Sequence, residues 1–568
     1  VKNAMNYQPR LDEINHLLFE VLQAPQQLQT LAAFGEVDRD IMQEVLGQAA
    51  RFVTREIAPL QRVGDETGAR FEAGRVTMPP GFRAAYQAFW QAGWPALACE
   101  SEDGGQGLPT VLEAVLYEML SAANHGWTMA PGLLHGAYEC LKHHGSEALK
   151  ARYLTKIASG EWLATMCLTE AYAGSDLGLV STKAVAQADG SYHICGGKIF
   201  ISGGEHDLTD NIVHLVLARL PDAPPGPKGL SLFLAPKVLP DGARNGVYCE
   251  RIEEKMGLHG SPTCVLRFED ATSWLVGEAG KGLGAMFVMM NAARLHVGLQ
   301  GIALLDAAWQ KARAYAAERR QMRAPGARGT SLIQDHPAIQ RILTTQQAWV
   351  DGGRLLAYRT AMELDMIKHH PDPARRAGAS RWCSLVTPVL KAAWTRQGFL
   401  GASECLQVFG GHGYVREWGI EQIVRDARIT MIYEGTNEIQ AVDLLIRKVL
   451  PDGGQALGSL FDGLDAAGNP PTAVNARFAG LRSLSARLTQ AAAYRADLPH
   501  WVADDFLQAV ALALLGWAGA CIGARTCDWQ APAHALQTWV LPAFDMHVAI
   551  IEQQLANTET AAPAPAAA

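Results

Sequence analysis

A glutamate stands between an aromatic side chain and a tight turn in the run Ile432-Tyr433-Glu434-Gly435-Thr436-Asn437-Glu438-Ile439-Gln440. A carboxylate placed this way can lose part of its hydration, which makes it a usable base near neutral pH. A single Glu in a turn is more often simply solvated, so the rest of the chain must decide the reading. Residues 404–414 (ECLQVFGGHGY) carry three glycines in four positions, which lets backbone amides approach a ligand closely. At residues 168–176 (LTEAYAGSD), Leu168, Thr169, Gly174 and Ser175 sit in a hydroxyl-bearing, Gly-containing turn. Hydroxyls and amides gathered in that way suit the edge of a heterocycle or a phosphate. Residues 197–204 (GKIFISGG) alternate, which predicts Phe200 and Ser202 on one strand face, an aromatic wall beside a hydroxyl. Residues 277–282 (GEAGKG) resemble a phosphate loop, but Lys281 is followed by Gly, not Ser or Thr. They read as a plain turn.

The elements that must position these groups change texture along the chain. Residues 38–160 show apolar spacing of three and four, interrupted by Gly/Pro clusters at 78–81 and 103–107. From 161 to 276 the period falls to two, with turn clusters between short runs, as in an antiparallel sheet or small barrel. Helical texture returns over 277–450. In residues 288–322 only Gly298 and Gly301 interrupt it, which predicts a long helix packed in a bundle. After the break at 451–454 an Ala/Leu-rich helical segment runs to about 557, and 558–568 are a low-complexity tail expected to be disordered. Residues 1–37 form an N-terminal extension. The fold class is therefore α+β, mostly α, with segregated layers. No strand leads into G-x-G-x-x-G and a helix, so a Rossmann site is not expected.

Composition narrows the partners. A chain of 568 residues is too long for one core, and 49% hydrophobic with 19% charged residues suits a globular enzyme. The net charge of −8 gives no basic field for nucleic acid or an anionic membrane. The ten cysteines are scattered without metal-ligand spacing, so no metal is expected and the thiols read as reduced and buried. The first 18 residues lack a leader-type apolar run, and a cytoplasmic setting is expected. Residues 509–524 (AVALALLGWAGACIGA) alone invite a membrane reading. They fall short of the roughly 20 apolar residues a span needs and are flanked by Asp504, Asp505 and Arg525. A buried helix is expected there, and no integral membrane segment.

Taken together, L-T-E-x-x-A-G-S-D, K-x-F-I-S-G-G, M-G-x-x-G-S, Q-V-F-G-G-H-G-Y and R-D-A-R-I-T-x-I-Y-E-G-T-N-E-I-Q, in that order between residues 38 and 450, resemble the acyl-CoA dehydrogenase family. The resemblance implies a helical N-terminal domain, a middle β-barrel, a C-terminal four-helix bundle and non-covalent FAD. It also implies α,β-dehydrogenation of an acyl-CoA, with electrons passing to an electron-transfer flavoprotein. Glu434 matches the family's base. The other position some relatives use for it, before Arg294, is Ala293, which cannot take a proton. Leu168, Thr169, Gly174, Ser175, Phe200 and Ser202 match flavin contacts, and Phe200 stands where Trp is usual. Arg319, Gln407 and Gly411 match positions that reach the FAD of a partner subunit. Thr436 and Glu438 match its adenine-diphosphate side. Ser175, Asn291, Arg294, Tyr433 and Gly435 match the substrate side.

Ala171 replaces a common Pro, and His336-Pro337 replaces a common His-Gln. The two extensions resemble a subgroup that includes 3-methylmercaptopropionyl-CoA and broad-range bacterial acyl-CoA dehydrogenases. The C-terminal extra domain is expected to cover the bundle face of its own chain and so to leave a homodimer. Two alternatives stay open: an oxidase using O₂ with the same base, and a family-like flavoprotein that binds nucleic acid. The second needs a basic C-terminal domain, whereas residues 451–557 lack Lys and are net acidic.

Overall fold

The computed structural model describes residues 6–468 and 471–561. The chain divides into two compact units, Gln48–His296 and the pair of segments Val1–Gly47 and Val297–Ala568.

In the Gln48–His296 unit, helices built on the expected three-four spacing surround Thr110–Thr128, every residue of which is buried. One element departs from the all-helical expectation for residues 38–160. Strands β1 (Arg70–Glu72) and β2 (Arg75–Thr77) pair as a hairpin. Ala73 (φ +48°) and Gly74 (φ +77°) link them, the doubly left-handed two-residue turn that matches strand twist.

The period-two region becomes seven strands: β3 (Leu163–Cys167), β4 (Lys183–Ala186), β5 (Tyr192–Ser202), β6 (Ile212–Arg219), β7 (Leu230–Pro236), β8 (Val247–Ile252) and β9 (Thr263–Val276). Antiparallel pairing runs β6–β7–β9–β5–β4, and the single parallel pair Lys183↔Arg219 closes the ring, so the sheet is a barrel. Strand β3 adds to β6 in parallel and β8 adds to β9. Strands β6 and β7 are buried almost throughout instead of alternating, as strands covered on both faces must be.

In the second unit the expected long helix is Gly282–Ala316, of which Val297 onward belongs here. It joins Pro337–His369, Pro373–Val389 and Thr395–Val408. Gly301 is no breaker. A Cβ on it would meet the Trp394 carbonyl oxygen at 2.5 Å, and one on Gly398 would meet the Gly301 oxygen at 2.7 Å, so glycine lets these backbones touch. Pro388 lies inside a helix and cannot bond the Ser384 carbonyl. Lys448 Nζ takes that carbonyl instead, at 2.7 Å. Directly after it the helix widens into a π-turn, Leu390–Trp394.

The C-terminal extra residues form helices Gln455–Gly468, Thr472–Ala492, Leu498–Gly523 and Pro542–Ala561. The last runs into the segment expected as a disordered tail, whose remaining residues lie outside those described. Helix Leu498–Gly523 packs on Pro337–His369 of the same chain. Leu515 Cδ1 lies where a Cβ on Gly352 would be, 2.3 Å from it. The Arg359 guanidinium sits 4.0 Å from the Trp382 ring and 5.2 Å from Trp517, contacts worth about 0.5–2 kcal/mol each. Leu498–Gly523 is long and apolar enough to cross a bilayer, as is Gly282–Ala316, but 83% of its most apolar window is buried against protein.

The N-terminal extension is pinned by a buried charge cluster. Arg10 Nε donates to Asp306 at 2.9 Å and Nη2 to Asp351 at 3.0 Å, Arg354 Nη2 reaches Asp306 at 2.8 Å, and Trp529 Nε1 donates to Asp351 at 3.0 Å.

Candidate active site

The Gln48–His296 unit presents the first set of motif residues. Lys198, fully buried on β5, donates to the Leu168 carbonyl and to Glu170 Oε1, both at 2.9 Å. Glu170 also accepts from Ser181 N and Oγ at 2.7 Å and from Thr182 N at 3.0 Å. Burial pushes the Glu170 carboxyl up, but the Lys198 charge and these hydrogen bonds outweigh it and hold the group at about 2. Burial pushes the Lys198 ammonium down, with Glu170 opposing. Reciprocal bonds between Glu170 and Ala173 tighten the loop. The braced loop leaves Tyr172, Gly174 and Ser175 exposed and Leu168 and Thr169 half-buried. The Ile199 amide donates to the Thr169 carbonyl at 2.9 Å, which ties the loop to the strand carrying Phe200.

Phe200 differs from the simple alternation expected of it. Between the pairs Lys198↔Leu266 and Ile201↔Cys264, β5 carries one residue more than β9. This bulge gives Phe200 a left-handed φ of +59°. Phe200 is 60% exposed and Ser202 half-buried, while Ile201 between them is 2% exposed. On helix Gly282–Ala316, Arg294 Nη1 donates to Asn291 Oδ1 at 3.4 Å, and Ala293 is buried.

The second unit holds the remaining candidates in two places. Arg319, Gln407 and Gly411 share a cavity of about 490 Å³ with Tyr315, His336 and Gly410. Tyr315 stacks on Phe409 at 4.3 Å and its hydroxyl meets His412 Nδ1 at 2.9 Å. A Cβ on Gly410 or Gly411 would meet no other atom within 4 Å, so their backbone faces open space. His336 lines this cavity although Pro337 follows it, with Nε2 donating to the Gln321 carbonyl at 3.0 Å.

Residues 433–438 lie apart from that cavity, in the turn that opens helix Asn437–Val442. Glu434 adopts φ +55° and Gly435 +86°. For Glu the left-handed region costs about 1–2 kcal/mol and persists only where neighbours enforce it. Gln440 Nε2 donates to the Glu434 carbonyl at 3.1 Å and Lys391 Nζ to the Gly435 carbonyl at 2.6 Å. Thr436 Oγ1 caps the helix by accepting from Ile439 N at 3.3 Å. Tyr433 donates its hydroxyl to Gln300 Oε1 at 2.6 Å. Burial, then the nearby Glu434 and Asp426 charges, push that phenol well above its ordinary range. Glu438 is exposed on the first helical turn.

Sequence reasoning missed Lys391, Gln300 and Gln440. A signal for Lys391 was present. It is the sole charge in the apolar run 389–394 (VLKAAW), and a Lys there must be buried with partners.

Residues 40–161, 165–271 and 280–449 match the family models for the N-terminal, middle and C-terminal domains of acyl-CoA dehydrogenases. A 3-methylmercaptopropionyl-CoA dehydrogenase of Ruegeria pomeroyi is 42% identical over 507 residues, 88% of this chain and 85% of that protein. The broad-specificity linear acyl-CoA dehydrogenase FadE5 of Mycobacterium tuberculosis is 38% identical over 78% of this chain and 75% of its own. An acyl-CoA dehydrogenase of Bacillus anthracis, solved in complex with FAD, shares the fold at a TM-score of 0.75 and 22% identity, covering 95% of this chain and 91% of that one. The chain belongs to the acyl-CoA dehydrogenase family. It is an oxidoreductase acting on the CH–CH bond of an acyl-CoA.

Proposed function

We propose that the chain is an FAD-dependent dehydrogenase that takes a saturated acyl-CoA to the trans-2-enoyl-CoA, with Glu434 as the base. The observation that carries this reading is the braced, left-handed Glu434 turn in a member of this family. The residues present fit FAD. One unit offers an exposed aromatic ring, Phe200, on a strand tied to the loop that carries Thr169, with Gly174 and Ser175 exposed and Leu168 and Ser202 half-buried. The other offers the guanidinium of Arg319, the amide of Gln407 and open backbone at Gly411 to the FAD of a partner subunit, and Thr436 and Glu438 to the adenine-diphosphate side. FAD, when bound, supplies the acceptor for the β hydrogen.

The chain's own part is proton chemistry and orientation. An α C–H beside a thioester is a very weak acid, so the developing enolate oxygen needs a hydrogen-bond donor held in place beforehand. The Glu434 backbone N–H is that donor, and the Glu434 carboxylate takes the proton. By their match to the family motifs, Tyr433 and Gly435 in one unit, and Ser175, Asn291 and Arg294 in the other, are the residues assigned to the substrate. Exclusion of water by the acyl chain strengthens both interactions.

Electrons leave to an electron-transfer flavoprotein. The chain works as a homodimer, a reading supported by extra C-terminal helices that already cover a bundle face within one chain. Ten unpaired cysteines support a reducing, cytoplasmic setting. The names of the two relatives support an unbranched acyl chain, with or without a thioether. The test is anaerobic mixing of the flavin-loaded protein with short to long saturated, thioether and aryl acyl-CoAs. Bleaching of the flavin together with enoyl-CoA formation is expected. O₂ uptake at the same rate without another acceptor would mark an oxidase instead.

A further inference from the structure

We propose that Lys391 is the positioning residue for Glu434: from a π-turn it grips the carbonyl one residue beyond the base and so holds the base in its left-handed conformation. The proposal rests on reading Glu434 as the base. Three observations carry it. First, Lys391 is fully buried and sits where the helix widens, three residues after Pro388; such wide turns recur at functional sites.

Second, its ammonium donates to the Gly435 carbonyl at 2.6 Å and to Asn437 Oδ1 at 3.0 Å. Asn437 answers by donating Nδ2 to the Ala392 carbonyl at 3.0 Å, and Thr395 Oγ1 donates to the same Asn437 oxygen at 3.2 Å. The π-turn and the Glu434 turn are thus laced in both directions. Third, what the lacing holds is a conformation that Glu would not keep by itself, φ +55° followed by +86° at Gly435. Gln440 fixes the Glu434 carbonyl from the other side.

The consequence is geometric. A relaxed turn would rotate the Glu434 carboxylate and the Glu434 N–H together, so proton removal and enolate support would weaken at once. Binding of CoA or flavin would be touched far less. A lysine needed only for folding would instead change stability and leave the proton step of the folded fraction alone.

The experiment compares Lys391→Met, which keeps length but loses the donors, and Lys391→Gln, which keeps a neutral donor, with Glu434→Gln. Each protein is assayed for flavin content, thermal midpoint, KM and kcat. Exchange of the α hydrogens of a 3-thia-acyl-CoA with D₂O is followed across pH. That ligand has sulfur at the β position and no β hydrogen to lose, so exchange reads proton transfer alone. We expect Lys391→Met to load flavin and keep KM within about threefold, while exchange and kcat fall about 100-fold, the scale of a small misplacement of a reacting group. Lys391→Gln should recover about tenfold of that loss. Exchange in Lys391→Met within about threefold of the unaltered enzyme overturns the proposal. So does failure of both lysine variants to fold and load flavin, because the lysine then serves the fold. If exchange is lost in Glu434→Gln but kept in Lys391→Met, only the positioning role falls. If exchange survives in Glu434→Gln, the base assignment falls and takes this proposal with it.

Discussion

Arg10 and Asp351 are 341 positions apart in the chain, and their side chains meet at 3.0 Å. Both are buried, and the same carboxylate accepts the Trp529 indole N–H from the C-terminal extra domain. One aspartate on helix Pro337–His369 therefore anchors both extensions. Removing one partner from a buried charge cluster leaves the others uncompensated, which is dearer than losing a surface pair.

Arg10→Met should therefore cost about 3–5 kcal/mol, because Asp306 and Asp351 keep neutral donors but lose one of the two guanidinium groups in the cluster. Trp529→Phe removes one hydrogen bond to a charged group and should cost less, about 1.5–3 kcal/mol. Thermal midpoints in that order, together with faster hydrogen exchange in helices Leu11–Asn15 and Ala24–Leu28 of the Arg10 variant, are the expected result. Unchanged exchange there would mean the cluster does not hold the extension.

Glu434→Gln preserves shape but not the proton acceptor. We expect a folded, yellow protein whose substrate-driven bleaching is slowed by about 10³-fold or more, the effect of losing an essential base. Stopped-flow absorbance measures it. Near-normal bleaching would shift attention to Glu438 or to Glu118, a fully buried carboxylate on helix Thr110–Thr128.

Acid should loosen the 168–176 loop over a defined window. In the folded protein Glu170 stays ionised down to about 2, whereas its ordinary value is 4.5. Its stabilising contribution is therefore complete above about pH 4.5 and is lost as pH falls toward 2. Proteolytic nicking near Tyr172 and release of fluorescent flavin, both followed against pH, should rise across that window. Glu170→Gln should flatten the profile, and a variant with the wild-type profile would place the acid response elsewhere.

The C-terminal domain bears on assembly. Light scattering should give a mass of two chains, and truncation at Pro451 should give four chains or aggregates, because apolar side chains facing Leu498–Gly523 lose about 25 cal/mol for each Å² newly exposed to water. Four chains in the intact protein would exclude the covering role.

What the sequence made legible follows from the range of the forces involved. Helix and strand textures depend on periods of a few residues, so the order helices, barrel, bundle, extra helices could be read directly, and the Y-E-G-T turn came with it. The bulge at Phe200 could not, because it depends on how β5 registers against β9 some 65 residues on. Ala73-Gly74 was a readable turn signal hidden inside a helical stretch. The partnership of Lys391 with Gly435 joins residues 44 apart, and Arg10 with Asp351 far more. Pairings of that kind leave only a charged residue in an apolar run as their trace.

The burial of Leu498–Gly523 has a consequence for how the protein is made. By length and composition this helix is apolar enough to need cover as soon as it forms. Synthesis runs from the N-terminus, and helix Pro337–His369, which shelters it, precedes it by more than a hundred residues. The docking face can therefore be assembled before the segment leaves the ribosome. Chain order thus offers the apolar helix its cover as it emerges, an order that a circular permutant opening between the two helices would reverse.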